Sequence, residues 1–218
     1  MGKIITIDGP AGSGKSTVSR LMAEKLGYLY LDTGAMYRAV ALQANRLNID
    51  FDDSKALEDV CKNLDLDFVT DGALSRIFIG DEDVSLLIRE PEVDMLASDV
   101  SAVKEVRSSM TELQRKIGRS GDLVAEGRDM GTVVFPDADY KFFVTASHEA
   151  RSERRYSERI ERGESVLMED VEADLGKRDE QDSNRSIAPL KPADDAVIID
   201  TSPLNIAQVV EKMLSEMR

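Results

Sequence analysis

Apolar and polar positions follow two rhythms along this chain of 218 residues. Short continuous apolar runs at Ile4–Ile7, Tyr28–Leu31, Leu123–Ala125, Phe142–Val144 and Val197–Ile199 predict strands buried on both faces. Helical spacing separates them. Val18, Leu21, Met22 and Leu26 share one face, and Gly27 stands where a helix C-cap belongs. Strand and helix in repeated alternation predict an α/β fold, a parallel sheet covered on both sides. One region breaks the rhythm. Leu64, Leu66 and Phe68 alternate with Asp65 and Asp67, the pattern of a half-buried strand. Asp71-Gly72 is a hairpin signal, and a second run, Leu74–Ile79, ends at Gly80-Asp81. With a third short strand near Asp83-Val84, residues about 64–88 read as a small antiparallel insert flanked by helices, too small for a separate domain.

The first predicted strand runs into GPAGSGKS, residues 9–16, and a predicted helix follows. Glycines here let backbone N–H groups approach phosphate oxygens, and the helix N-terminus favours an anion. Gly9, Pro10, Ala11, Gly12, Ser13, Gly14, Lys15, Ser16 and Thr17 are therefore expected to bind the phosphates of ATP. Lys15 is expected to reach the β- and γ-phosphates, and Ser16 to ligate Mg²⁺.

Two further segments follow strand ends, the edge where open α/β sheets bind ligands. LDTGAMYR places Thr33, Tyr37 and Arg38 there, and EGRDMGT places Glu126, Arg128 and Asp129. Glu126 stands where an acidic residue supports Mg²⁺ through water. Arg151, Arg154, Arg155, Arg159 and Arg162 fall on one side of a predicted helix, read as a lid whose arginines meet transferring phosphates. Arg178, Asp182 and Arg185 share another helical face, which Pro189 and Pro192 are expected to end. Arginines flanking an aspartate suit either an internal salt bridge or a ribose and a phosphate.

Composition narrows the chemistry. The net charge is −14, with 42% apolar residues. Such a chain builds a core and repels nucleic acid and anionic membranes. There is no apolar run of membrane-spanning length, and the start of the chain reads as a strand rather than a signal peptide or lipid anchor. A lone cysteine, Cys61, fits the reducing cytoplasm. His148 is the one histidine, expected at the surface at a helix start, so neither a Ser-His-Asp set nor a zinc site is available. Transfer to a phosphate oxygen needs no dedicated base, only positioning and charge neutralisation. A nucleotide-driven switch would need a water-positioning residue, and no such signature is visible.

The segments GPAGSGKST, LDTGAMYR, EGRDMGTVVFPDA and KRDEQDSNRSIAPL, in this order over nearly the whole chain, resemble bacterial cytidylate kinases, a family of nucleoside monophosphate kinases. The resemblance implies a P-loop NTPase-type parallel sheet of five strands with helices on both faces. It also implies one domain over 1–218, with a nucleoside-monophosphate-binding insert over about 35–110 and a helical lid over about 150–165. It implies transfer of the γ-phosphate of ATP to CMP or dCMP with Mg²⁺, by a cytoplasmic monomer. Thr33, Arg38 and Arg128 would hold the acceptor phosphate, and Ser98, Arg107 and Asp129 would face cytosine. Arg178 and Asp182 would hold the sugar with Arg185 nearby, Tyr37 would line the pocket, and Lys15, Arg128, Arg155 and Arg159 would act on the transferring phosphate. Glu126 departs from the aspartate common there and is one methylene longer. Cytosine carries an amino donor that Asp129 can accept from, whereas uracil presents an acceptor, so CMP is expected over UMP.

Overall fold

A computed structural model describes residues 2–71 and 74–217. In chain order its elements are β1 (Ile4–Asp8), α1 (Lys15–Leu26), β2 (Leu29–Asp32), α2 (Thr33–Arg46), α3 (Ser54–Asn63), β3 (Leu66–Asp71), β4 (Leu74–Ile79) and β5 (Glu82–Asp83). They continue as α4 (Pro91–Ala102), α5 (Lys104–Gly118), β6 (Leu123–Gly127), β7 (Tyr140–Thr145), α6 (His148–Glu161), α7 (Met168–Asn184), β8 (Val197–Asp200) and α8 (Ile206–Glu216). Among the described residues no helix is long and apolar enough to cross a membrane.

The main sheet has the order β2-β6-β1-β7-β8, all parallel. Successive residues of β6 divide between its faces. Leu123 and Ala125 pack with Met36, Val40, Val106 and Met110, while Val124 packs with Val18, Met22, Val209 and Met213. Helices α2 to α5 thus cover one face, and α1 and α8 the other. This is the layering that continuous apolar runs demand. The chain runs from β1 outward to β2, returns to β6, then crosses to β7 on the far side of β1. The ligand crevice of such a sheet opens at that reversal, at the strand carboxyl ends.

Each predicted strand of the sheet is present, and each runs further toward its carboxyl end. Asp8, Asp32 and Glu126 belong to strands whose apolar runs stop before them. Pairing continues through these acids because their backbones bond like any other, and it sets Asp32 level with Glu126 and Asp8 level with Gly127. Gly27 does cap α1, at φ 69°, with its N–H and that of Tyr28 closing on Glu24 and Ala23 carbonyls.

The second sheet is antiparallel, β3-β4-β5, with Leu66 opposite Ile79 and Phe78 opposite Asp83. Leu64 is not in it; this residue follows the end of α3. The predicted turn at Asp71-Gly72 lies partly outside the described residues. Helix α7 stops at Asn184, ahead of Pro189 and Pro192, because Arg185 turns to extended backbone, ψ 134°. The prolines are therefore not what ends it.

Candidate active site

The phosphate loop is shaped by close contacts. Gly12 takes φ 73°, and a Cβ there would lie 2.9 Å from the Arg151 carbonyl oxygen. Helix α1 starts after Gly14, itself at φ 85°, with no side chain capping its first turn. Its leading N–H groups thus remain for an anion. Elsewhere such groups are occupied: Asp32 accepts from Ala35 N at the start of α2, and Ser147 from Ala150 N at α6.

Bonds from remote elements fix the loop. Arg151 donates to the Ala11 carbonyl (3.2 Å) and pairs with Asp179 at 2.7 Å, while Thr201 donates to the Ser13 carbonyl (3.0 Å). Arg154 in turn donates to the Thr201 hydroxyl and carbonyl. The arginine face of α6 is consequently divided. Arg151 and Arg154 are tied to the loop and to Thr201, whereas Arg155, Arg159 and Arg162 line the cavity, where Arg155 and Arg159 pair with carboxylates that line it too. The arginines of this face that line the cavity are those of its second half, because the helix starts against the loop and leaves it further along.

A cavity of about 680 Å³ runs from this loop across the sheet edge to α4 and α7. Of the predicted loop residues, Ala11, Gly12, Gly14, Lys15, Ser16 and Thr17 line it. Gly9, Pro10 and Ser13 do not. Gly9 packs so tightly on Val144 that a Cβ would meet its carbonyl oxygen at 2.0 Å, the Pro10 carbonyl accepts from Lys15 Nζ (3.2 Å), and Ser13 is fully buried.

At the cavity floor Lys15 and Glu126 are both buried. Burial and the Arg128 charge push the Lys15 ammonium down, and burial and Asp32 push the Glu126 carboxyl up. The Ser16 and Tyr30 hydroxyls lie beside Glu126, and its Oε2 is buried without a hydrogen-bond partner among the described residues. An orphaned buried carboxylate oxygen beside a serine hydroxyl is a hard oxygen donor set, which fits Mg²⁺.

The acceptor residues form ion-paired groups around the far end. Arg107 and Asp129 make a buried ion pair, Arg107 also donates to the Ser101 carbonyl (3.1 Å), and its guanidinium lies 5.6 Å from the centre of the Tyr37 ring. Arg128 Nε donates to Asp182 at 2.6 Å. The Nε and Nη2 atoms of Arg185 are buried without a hydrogen-bond partner among the described residues. Thr33 lines the cavity, with its hydroxyl donating to the Glu126 carbonyl (2.6 Å), and Ser98 donates to Gln181 (3.1 Å). Tyr37, Arg38, Ser98, Arg107, Arg128, Asp129, Arg178, Asp182 and Arg185 all line the same cavity.

Sequence reasoning missed two aspartates. Asp8 accepts from the backbone N–H groups of Met130 (2.9 Å) and Gly131 (2.8 Å), fixing the turn that carries Arg128 and Asp129. Burial raises its carboxyl to about 6 against those two bonds. Asp94, in the first turn of α4, joins Arg178 (2.8 Å), Arg155 (3.1 Å) and Arg38 (3.9 Å). An acid at the end of an apolar run signals the first, but nothing in the local spacing signals the second.

The comparisons with known proteins bear on the whole chain. The sequence profile described as cytidylate kinase matches residues 5–218. A cytidylate kinase of Citrifermentans bemidjiense is 50% identical over 217 residues, covering 100% of this chain and 93% of that protein. One of Thermotoga petrophila is 47% identical, covering 100% of this chain and 98% of the relative. Among solved structures, an uncharacterized protein from Eubacterium ventriosum aligns with TM-score 0.56 at 12% identity, covering 99% of this chain and 98% of its own. A gluconokinase from Sinorhizobium meliloti aligns with TM-score 0.50 at 15% identity, covering 99% and 91%. These structures share the fold, and the match in sequence from end to end goes further: the chain belongs to the cytidylate kinase family.

Proposed function

We propose that this chain transfers the γ-phosphate of ATP to CMP or dCMP, giving CDP or dCDP and ADP. The observation that carries the reading is the continuity of one cavity. It joins an uncapped helix N-terminus and a buried lysine to a cluster of arginines, with a buried carboxylate, Asp129, among its far walls. A site for a nucleotide donor alone has no use for the second end.

The donor phosphates rest on the N–H groups of the loop and on Lys15. Their negative charge favours the protonated lysine, against the burial that lowers its affinity for a proton. Ser16 and Glu126 would hold Mg²⁺, Glu126 through water, and the ion would neutralise charge on the transferring phosphate. Thr33, Arg38 and Arg128 hold the acceptor phosphate. The resemblance gives Arg178 to the sugar, but its place beside Arg38 on Asp94 favours the phosphate, leaving Asp182 and Arg185 for the sugar side. Arg155 and Arg159 neutralise charge in transit. No side chain needs to remove a proton, because a phosphate monoester is already largely dianionic near pH 7. Ser98, Arg107 and Asp129 face the base, and a carboxylate paired with Arg107 accepts from the cytosine amino group and repels the uracil carbonyl. The enzyme acts as a cytoplasmic monomer.

The test is an assay of ADP formation with ATP, Mg²⁺ and a panel of CMP, dCMP, UMP, AMP and GMP. The expected result is ADP formation that depends on CMP or dCMP and is far weaker with UMP. ADP formation independent of any acceptor would replace this reading with an ATP-driven switch, and preference for UMP would remove Asp129 from base selection.

A further inference from the structure

Asp94 sits inside the cavity among arginines. Its side chain, 18% exposed, lines the cavity from the first turn of α4. One carboxylate oxygen meets Arg178 and Arg155, and the other faces Arg38. These arginines come from α7, α6 and α2, so three elements converge on one anion of the protein. Burial alone would push the carboxyl up, but the guanidiniums of Arg178, Arg38 and Arg155 overcome it and hold it at about 2.

Arg38 and Arg155 also have other carboxylates, Asp32 (3.2 Å) and Glu158 (3.3 Å). For Arg178, Asp94 is the carboxylate within ion-pair distance among the described residues. Arg178 is thus the arginine most dependent on Asp94, and it stands between the lysine end and the acceptor end, with its charge felt by both Lys15 and Asp182.

We propose that Asp94 is an internal stand-in for the acceptor phosphate, which displaces it from Arg38, Arg155 and Arg178 on binding. This rests on the acceptor being a phosphate monoester, as proposed above. A carboxylate offers two oxygens and one negative charge. A phosphate monoester dianion offers three oxygens and two charges, and meets guanidinium forks in the same bidentate geometry. The two anions cannot share the arginines without facing each other at short range in a partly buried site, where repulsion is weakly screened. The exchange therefore favours dianions, and it excludes singly charged ions that gain less from the arginines than Asp94 already does. It makes Asp94 a specificity-determining residue. It also keeps Arg155 on α4 until an acceptor arrives.

The experiment titrates inorganic phosphate at pH 8, and separately CMP, into wild-type protein, Asp94→Asn and Asp94→Glu by calorimetry, with thermal midpoints measured at each phosphate concentration. Removing the competing charge is expected to tighten phosphate and CMP binding to Asp94→Asn about tenfold, equivalent to about 1.4 kcal/mol. Phosphate then raises the thermal midpoint of that variant more than that of the wild type. Asp94→Glu, which keeps the charge, is expected to bind like the wild type. Should Asp94→Asn fail to fold, Asp94→Ser takes its place. Equal or weaker binding of both ligands by the neutral variant would overturn the proposal and leave Asp94 as a residue that only orders arginines. The same weakening in Asp94→Asn and Asp94→Glu would also overturn it. Absence of CMP phosphorylation by the wild type would count against the proposed function instead, since phosphate affinity is compared between variants without turnover.

Discussion

Replacing Asp129 by leucine removes one partner of an ion pair whose side chains are 5% and 3% exposed. The Arg107 guanidinium then keeps the Ser101 carbonyl and the face of Tyr37 but loses its counter-charge. Breaking a buried pair in this way costs about 3–5 kcal/mol, because an uncompensated charge stays in a low-dielectric site. For a chain of this size that corresponds to a fall in thermal midpoint of roughly 10 °C. Arg107→Met strands the carboxylate instead and is expected to cost a similar amount. The double variant Arg107→Met/Asp129→Leu strands nothing, and replacing both charges with apolar groups is near neutral. Its loss is expected to stay below that of either single change. The assay is thermal and urea unfolding of the four proteins, followed by circular dichroism and combined as a double-mutant cycle. Single losses below about 1 kcal/mol, or losses that simply add, would refute the argument that burial makes either charge costly once its partner is removed. Base selection is read in Asp129→Asn, which keeps Arg107: on the proposal that the Asp129 carboxylate reads the cytosine amino group, its ratio of kcat/KM for CMP over UMP is expected to fall toward one.

Other expectations follow from neighbouring geometry. Lys15→Ala should lower turnover by about 10²–10³-fold or more while CMP affinity, measured by calorimetry, stays within about threefold; equal loss of CMP binding would contradict separate donor and acceptor ends. Gly12→Ala should abolish most ATP affinity, because φ 73° and the Arg151 carbonyl at 2.9 Å both oppose a Cβ, and equilibrium dialysis with ATP checks this. Asp94 has a folded carboxyl at about 2 against 3.8 in the unfolded chain, so it stabilises the fold above about pH 4. That contribution, about 2 kcal/mol, is lost as pH falls from about 4 toward 2, and urea midpoints of wild type and Asp94→Asn measured from pH 6 to 2 should converge over that window.

How much of this was legible in the sequence follows from the range of the forces involved. Apolar runs fixed the five parallel strands and helical spacing fixed α1, since burial on two faces or one leaves its period in the chain. The loop and its helix were equally plain, because glycine takes positive φ without strain and allows close backbone approach. Order along the chain also carried the family, through LDTGAMYR, EGRDMG and the segment of Arg178, Asp182 and Arg185. Local pattern could not tell which arginines of α6 face a ligand. Arg151 and Arg154 differ from Arg155 and Arg159 only by what lies across from them, the Ala11 and Thr201 carbonyls and Asp179, which are remote in the chain. Nor could it set Asp94 among arginines of α2, α6 and α7, or pair Arg107 with Asp129 across 22 residues. Secondary structure is written in neighbours a few residues apart. Charge partners are chosen by the tertiary fold, which brings distant groups within Coulomb range and removes the water that would otherwise screen them.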